Sequence, residues 1–533
     1  MRYGFVIDQN RCIGCHACTV ACKEEHNVPI GVNRTWVKYI EKGQFPDTRR
    51  HFAVLRCNHC DDAPCIEICP TVALFRRPDG IVDFDGDRCI GCKSCMQACP
   101  YDALYIDPNT KTAAKCNFCA HRLEVGLRPS CEIICPTQAI VSGDLDDSTS
   151  DIAKIVASQK VTLRKPGKGT HPKLFYVGVD GDLLEPTMME PQSMHLWADK
   201  HQGEDLYALT TTGGRKDNTS ALLDRLREEN RVPSNPGLAR EVYDVPHPTP
   251  WGRMIAAYLW TKGIAAGSLL VAATLLAAGY KGDPLLSLVS PVLALLFTGL
   301  TVSLLVFDLK RPERFFYLLT KPNPRSWLVI GGYVLFVYGI FASLWLFFGL
   351  TGRAVPHVVL WLTALFAICA ACYTAFLFAQ AKGRDLWQSP LFFWHLLVQA
   401  VTAGAAALIG LGVLLQSDST VMGALTKLLG GSLVLSAAMI LAEVSLTHVS
   451  EDSKRAVDLL KKGSLSGTFW WLVIAMGTLL PLLLLISLTI PIPAGAREAA
   501  ATVLSVSASI LALVGLWFFD NLWIKAGQAA PLS

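Results

Sequence analysis

Hydrophobic and polar positions divide this chain into two unlike halves. Up to about Pro250 the sequence is polar and charged, whereas from Trp251 onward it becomes long apolar runs separated by short charged loops. Eight runs are read, at approximately 254–280, 285–307, 327–350, 358–379, 391–415, 428–445, 465–490 and 500–520. At a rise of about 1.5 Å per residue, each is long enough to cross a bilayer as a helix. Lys427 and Glu443 stand at opposite ends of the sixth, and Pro481 interrupts the seventh, which neighbouring helices can accommodate. In the polar half, "RKPGKGTHPKLFYVGVDGD" reads as a loop followed by a short strand and "NTSALLDRLREENRVP" as one short helix. The stretch "VPSNPGLAREVYDVPHPTPWG" is too proline-rich to be anything but extended. The pattern predicts a first domain over 1–190, an extended linker over 191–250 and a membrane domain over 251–533. A linker of that length wraps a partner subunit, tethers two docked domains or is a disordered spacer.

Composition supports the division. With 51% hydrophobic and 17% charged residues, the 533-residue chain is too apolar for a soluble protein of its size. Its net charge of +4 is small and gives no reason to expect nucleic acid as a partner. The start, "MRYGFVIDQNRC", carries neither an apolar signal region nor a twin-arginine pattern, so the polar half is expected in the cytoplasm with its thiols reduced.

Sixteen of the 18 cysteines fall between Cys12 and Cys135, in four runs of four. These are Cys12, Cys15, Cys18, Cys22; Cys57, Cys60, Cys65, Cys69; Cys89, Cys92, Cys95, Cys99; and Cys116, Cys119, Cys131, Cys135. The first and third share a spacing and an Arg-Cys-Ile-Gly-Cys start, and Pro70, Pro100 and Pro136 close three of the runs, which makes an internal repeat. Two-residue gaps let one turn of backbone present successive thiolates to a single cubane while its amides face the sulfurs. In two-cluster ferredoxins the fourth cysteine ligates the other cluster, and proline ends the turn. Four runs therefore predict four [4Fe-4S] clusters. Structural zinc is the competing reading of paired Cys-x-x-Cys, but it needs only two pairs per site, and a triple array closed by Cys-Pro is a poor zinc pattern. His16, His26, His59 and His121 lie beside the runs and are candidates for tuning a cluster rather than ligating it. Cys369 and Cys372 sit in an apolar run with no visible partners and read as packing residues.

The stretches "CIGCHACTVACKEEHNVPIGVNRTWV", "CNHCDDAPCIEICP", "CIGCKSCMQACPYDA" and "CNFCAHRLEVGLRPSCEIICPTQAI" resemble the four-cluster iron-sulfur subunit of molybdenum oxidoreductases of the dimethyl sulfoxide and polysulfide reductase type. The resemblance covers residues 1 to about 190 and implies an α+β ferredoxin-like domain of two dicluster repeats. It further implies that the first run pairs with the fourth and the second with the third. The ligand sets would then be Cys12, Cys15, Cys18 and Cys135; Cys22, Cys116, Cys119 and Cys131; Cys57, Cys60, Cys65 and Cys99; and Cys69, Cys89, Cys92 and Cys95.

"YLWTKGIAAGSLLVAATLL" and "VFDLKRPERFFYLLTKPNPRSW" resemble the NrfD-type membrane subunits, a likeness that covers most of 251–520 and implies an all-α bundle of eight transmembrane helices that binds quinone (menaquinone or ubiquinone) without haem. Asp308, Arg311 and Pro312 match that family's Asp-x-x-Arg-Pro motif. Asp308 is accordingly expected to exchange a proton with quinone, with Arg314 orienting it. Ionisable residues at membrane depth are costly and mark sites, so Lys262, His395 and Glu443 are further quinone candidates beside Arg311. His395 and His448 both lie near segment ends and offer no facing pair for haem. The loops 308–326, 380–390, 446–464 and the tail from 521 hold twelve Lys and Arg residues, against Lys281, Arg353, Lys427 and Arg497 on the other side. By the positive-inside rule both termini and the cluster domain are expected in the cytoplasm, on a cell's inner membrane.

Together these features predict an electron relay between the quinone pool and a separate molybdopterin-containing catalytic subunit, its substrate a sulfur oxyanion such as sulfite by analogy with the resembled family. Two alternatives keep the wiring. In one the partner is a hydrogenase or a formate dehydrogenase. In the other the bundle translocates protons, against which stands the scarcity of charged residues midway along the spans.

Overall fold

A computed structural model describes residues 1–43, 47–179, 181–186, 189, 239–445, 450–489 and 494–533. The first part is α+β. Strand β1 (Tyr3–Asp8) buries Phe5, Val6 and Ile7, and β2 (Thr35–Lys42) and β3 (Arg49–Arg56) form a long antiparallel pair. Two short hairpins follow, β4 (Leu74–Arg76) with β5 (Val82–Phe84) and β6 (Leu104–Ile106) with β7 (Ala113–Lys115), each entered a few residues after the proline that closes a cysteine run. The repeat in sequence is thus a repeat in space. Strands β8 (Ile140–Asp144), β9 (Val161–Thr162) and β10 (Leu174–Val177) join β1 in the order β8-β1-β10-β9, with β1 and β10 parallel.

Residues 239–250, expected as part of a linker, are extended but not free. Strand β11 (Arg240–Tyr243) pairs antiparallel with β2, completing the sheet β11-β2-β3. Residues 190–238, including the expected short helix, lie outside the described residues.

The second part is a bundle of eight apolar helices: Arg253–Ala277, Leu285–Asp308, Trp327–Leu350, His357–Ala379, Leu391–Leu414, Ser419–Ser445, Ser466–Ser487 and Ala499–Gly527. The first is central, with 78% of its apolar window enclosed against 22% for the third, which turns its apolar side chains outward. The first and fifth cross where Gly267 meets Gly404; a Cβ on Gly267 would overlap the carbonyl of Ala400, so only glycine permits that approach. Two helices outrun their sequence-based bounds. The sixth begins at Ser419 rather than 428, because the single Lys427 does not break a helix when its stem lies along apolar surface. The eighth continues through Asp520 and Lys525 to Gly527, so the tail from 521 is not a loop and Asp520 is not a helix-end residue. In the seventh, the backbone ahead of Pro481 is wound as a π-helix over Phe469–Leu479, and Thr478 Oγ1 donates to Val473 O at 2.9 Å.

The two parts dock through the Lys- and Arg-bearing loops. The amides of Lys310 and Arg311 donate to Gly91 O and Ile90 O at 3.3 and 3.2 Å, and Asn323 Nδ2 donates to Cys69 O at 2.8 Å. Ser326 Oγ reaches Ile68 O at 2.7 Å, Arg384 Nε reaches Gln97 Oε1 at 2.8 Å, and Lys168 pairs with Asp385. Residues 528–533 are wedged into the same seam: Arg384 Nη1 donates to Ala530 O at 3.0 Å, Arg164 Nη2 to Leu532 O at 2.9 Å and Lys38 Nζ to Ser533 O at 2.9 Å. The core of the cluster domain extends onto the bundle, since Leu377 and Trp327 pack against its cysteine-rich centre.

Candidate functional site

Each cysteine run is bent by a residue in the left-handed region. His16 (φ 59°) and Lys93 (φ 65°) occupy the same place in the first and third runs, immediately ahead of helices α1 (Ala17–Glu25) and, in the third run, Ser94–Ala98. His59 (φ 45°) and Cys119 (φ 50°) turn the second and fourth. The turn swings the third thiol back toward the first two. It costs a little backbone energy and is held by the surrounding core.

The folded chain brings thiols of different runs together. Cys12, Cys15, Cys18 and Cys135 line one hollow, and Cys69, Cys89, Cys92 and Cys95 line another. Burial, and after it the thiols of Cys116, Cys131 and Cys119, push the Cys22 thiol up. Cys65 is likewise raised by burial and then by Cys99 and Cys57, with Cys60 also beside it. Thiols of the first run thus lie with those of the fourth, and thiols of the second with those of the third. Burial carries Cys18 to about 11 and Cys92, Cys99 and Cys116 to about 12, so the bare sites are protonated at neutral pH, and binding of a cationic iron centre would release those protons. Amide donors face the sulfurs: Gly91 N and Ala113 N donate to Cys89 Sγ at 3.4 and 3.3 Å, and Ala139 N donates to Cys135 Sγ at 3.2 Å. Four thiols around one hollow with amides aimed at sulfur fit a cubane.

Thiols of neighbouring groups also lie within electrostatic reach of one another: Cys95 feels Cys65, Cys116 feels Cys57, and Cys18 feels Cys131. The set of Cys69, Cys89, Cys92 and Cys95 is clamped to the bundle by Arg314 Nη1 on Gly86 O and Cys89 O (2.7 and 3.1 Å) and by Trp251 Nε1 on Cys92 O (3.3 Å). Away from the bundle Cys15 is exposed, with the apolar side chain of Ile13 exposed beside it.

Asp308 forms an ion pair with Lys93 at 2.8 Å, so the family motif meets the third cysteine run directly. Arg314 does not orient Asp308; it is spent on the two carbonyls just named. Arg311 Nε donates to Thr110 O at 2.8 Å, another docking contact. Glu443 accepts from Ser389 Oγ at 2.9 Å. His395 is buried against the rings of Phe519 and Trp523, while His448 lies outside the described residues. Of the four histidines beside the runs, His26 alone reaches a cysteine sulfur, with Nε2 3.2 Å from Cys119 Sγ.

Lys262 is further from the cluster side than its sequence position suggests. It lies about 13 Å along the first helix, where Nζ donates to Ala371 O at 2.9 Å and to Thr374 Oγ1 and sits over the ring of Tyr373. Lys262, Gln399 and Asp520 line one small internal cavity from the first, fifth and eighth helices. The bundle thus brings an ionisable residue absent from the sequence-based candidates, Asp520, to the same cavity as Lys262. Asp520 was missed because the apolar run seemed to end on it. The signal that could have found it is the apolar "LWIKA" continuing past it at helical spacing.

Comparison with known proteins agrees with this architecture. Residues 3–24 match a 4Fe-4S binding domain and 49–145 a 4Fe-4S dicluster domain. The sequence is 43% identical over 200 residues to a subunit of the tetrathionate reductase of Salmonella typhimurium, covering 37% of this protein and 80% of that one. It is 46% identical over 180 residues to protein NrfC of Escherichia coli (33% and 81%) and 44% identical over 181 residues to a component of the polysulfide reductase of Wolinella succinogenes (33% and 94%). The membrane domain matches the family described as "Polysulphide reductase, NrfD" over residues 241–531. More than half of its length being so matched, the chain thus belongs to the NrfD polysulphide reductase family, and it carries an iron-sulfur domain of the 4Fe-4S dicluster type fused ahead of a multi-pass membrane bundle.

Proposed function

We propose that this chain is the electron-transfer and anchor subunit of a membrane oxidoreductase complex, exchanging electrons between a separate molybdopterin-containing catalytic subunit and the quinone pool. The observation that carries this reading is that one cysteine-lined hollow holds exposed Cys15 while another, lined by Cys69, Cys89, Cys92 and Cys95, is clamped on the bundle, which has a polar cavity inside it. Bound in the four expected ligand sets, four [4Fe-4S] clusters would supply single-electron transfer over a span too long for one jump.

The chain's residues do the rest. Exposed Ile13 beside Cys15 offers an apolar contact for the catalytic subunit. At the bundle end, Asp308 held against Lys93 is the group that exchanges a proton with menaquinone or ubiquinone, and Lys262, His395 and Glu443 are the further candidates for quinone contact. Arg311 and Arg314 hold the nearest quartet in register with the bundle. The relatives' names, from tetrathionate and polysulfide reductases, favour an inorganic sulfur compound, sulfite among the candidates, as the partner's substrate. The chain would sit in the inner membrane with the cluster domain and the loops that dock it on the cytoplasmic side.

The test is metal analysis of the complex purified through this chain. About sixteen irons per chain with stoichiometric molybdenum on a large partner supports the reading. Nickel in place of molybdenum would move it to a hydrogenase, and zinc in place of iron would sink it. A second reading, in which the bundle also translocates protons, is favoured by the Lys262–Asp520 cavity and by the hydroxyls below it: Thr402 Oγ1 donates to Ser432 Oγ at 3.0 Å, and buried Ser509 lies above Ser505, which lines a cavity at the far end. Proton uptake and release on opposite faces of proteoliposomes, beyond quinone stoichiometry, would distinguish it.

A further inference from the structure

Arg56 ends β3, directly ahead of Cys57, and is fully buried. Its guanidinium lies over the ring of Phe5 at 4.6 Å, and Nη1 donates to Cys131 Sγ at 2.9 Å. Nε and Nη2 are buried with no hydrogen-bond partner in the protein. Among the described residues no carboxylate forms an ion pair with it. Glu132, which feels its charge, bonds instead to Ser142 and pairs with Arg128 at 3.5 Å. A buried cation with two N–H groups unused beside a thiol quartet is expensive unless something anionic completes its shell. Its charge is felt by Cys18 and by all four thiols of the quartet Cys22, Cys116, Cys119 and Cys131. The same quartet receives His26 on Cys119.

The other quartets are supplied differently. That of Cys12, Cys15, Cys18 and Cys135 is bonded by the amide of Ala139, and that of Cys69, Cys89, Cys92 and Cys95 by the amides of Gly91 and Ala113. Two cations lie beside the latter: Lys93 is paired with Asp308, and Arg314 has its guanidinium on the carbonyls of Gly86 and Cys89 rather than on sulfur. Lys115, close to Cys65, has its ammonium on the carbonyls of Val82 and Cys116 rather than on sulfur.

We propose that Arg56, assisted by His26, makes the quartet of Cys22, Cys116, Cys119 and Cys131 the site of highest reduction potential of the four. This rests on the four-cluster reading above. Reducing a thiolate-held cluster adds one negative charge with no bond made or broken. A guanidinium bonded to a ligand sulfur in a low-dielectric interior stabilises the more negative form, and sulfur hydrogen bonds act in the same direction. An electron entering the relay from either end, whether from a reduced quinone or from the partner, would come to rest one step in from the exposed end. There it stays close to a partner whose substrate chemistry takes electrons in pairs.

The experiment is a redox titration followed by electron paramagnetic resonance on the purified full complex, with iron measured on every sample. Variants are Arg56→Met, Arg56→Lys and His26→Gln. The expected result is that the most positive couple of the wild type moves negative in Arg56→Met and in His26→Gln, moves less in Arg56→Lys, and that the other three couples hold. Should Arg56→Met lose a cluster, Arg56→Lys, which keeps the charge but not the fork, and His26→Gln still decide the matter. Full iron with the most positive couple unmoved, or with a different couple moved, overturns the assignment. A wild type with well under sixteen irons would instead overturn the four-cluster reading, and the inference with it.

Discussion

Lys262 and Asp520 show how much of a membrane site is decided by single side chains. A charged group in a bundle interior is tolerated where it faces a polar cavity, and these two face the same one with Gln399 between their helices. Lys262→Met and Asp520→Asn are expected to lower quinol-linked turnover at least tenfold while leaving the iron content of the purified complex unchanged. A steady-state assay with a soluble quinol, paired with iron analysis, checks both halves of that statement. Loss of iron together with turnover would mean the pair serves folding instead.

Closely packed glycines set the geometry of the bundle at the scale of its elements. The first and fifth helices touch backbone to backbone at Gly267 and Gly404, and Gly477 and Gly515 do the same for the seventh and eighth. In lipid there is little hydrophobic drive between helices, so close van der Waals contact carries much of the association. Gly267→Val is expected to force the first helix away from the fifth and to destabilise the bundle by about 1–3 kcal/mol, the usual cost of overpacking. Thermal unfolding in detergent measures it, and Gly263→Val, one turn away where a Cβ finds only Ala403 at contact distance, is the milder control. Gly91 acts similarly in the cluster domain: its φ of 69° and its closeness to Lys310 leave no room for a side chain between the third run and the bundle.

For the whole molecule, the seam between cluster domain and bundle is the feature that everything else depends on, since it fixes the nearest quartet over the membrane site. His247 lies in that seam, bonded to Asp102 at 2.7 Å and to Ser533 Oγ at 3.1 Å, with Asp244 at 3.5 Å. Burial alone would lower its pKa, but the hydrogen bonds it donates to Asp102 and Asp244 outweigh it and raise the imidazole from 6.5 to about 10. Because the folded value lies above the unfolded one, the stabilisation is complete below about pH 6.5 and is lost as pH rises through about 10. Proteolysis of the seam is therefore expected to quicken between those limits in the wild type, and His247→Gln, already weakened at low pH, should show a flatter profile. Equal slopes in the two proteins would remove His247 from the account.

The sequence by itself determined whatever depends on residues close together along the chain. Cysteine spacing and the closing prolines marked an iron-sulfur domain, and uninterrupted apolar length marked eight candidate spans, because a turn of ligands and a bilayer crossing are both local in their physical requirements. Tertiary structure alone decided what depends on distant segments meeting: that β11 leaves the expected linker to complete a sheet, that Arg314 grips the third run while Asp308 meets Lys93, and that residues 528–533 fill the seam. Asp520 and Arg56 belong to the same class. Each is one charged residue at the edge of an apolar run, unremarkable in isolation, and only long-range packing turns one toward Lys262 and the other onto a cysteine sulfur, where burial in low dielectric gives a single charge its effect.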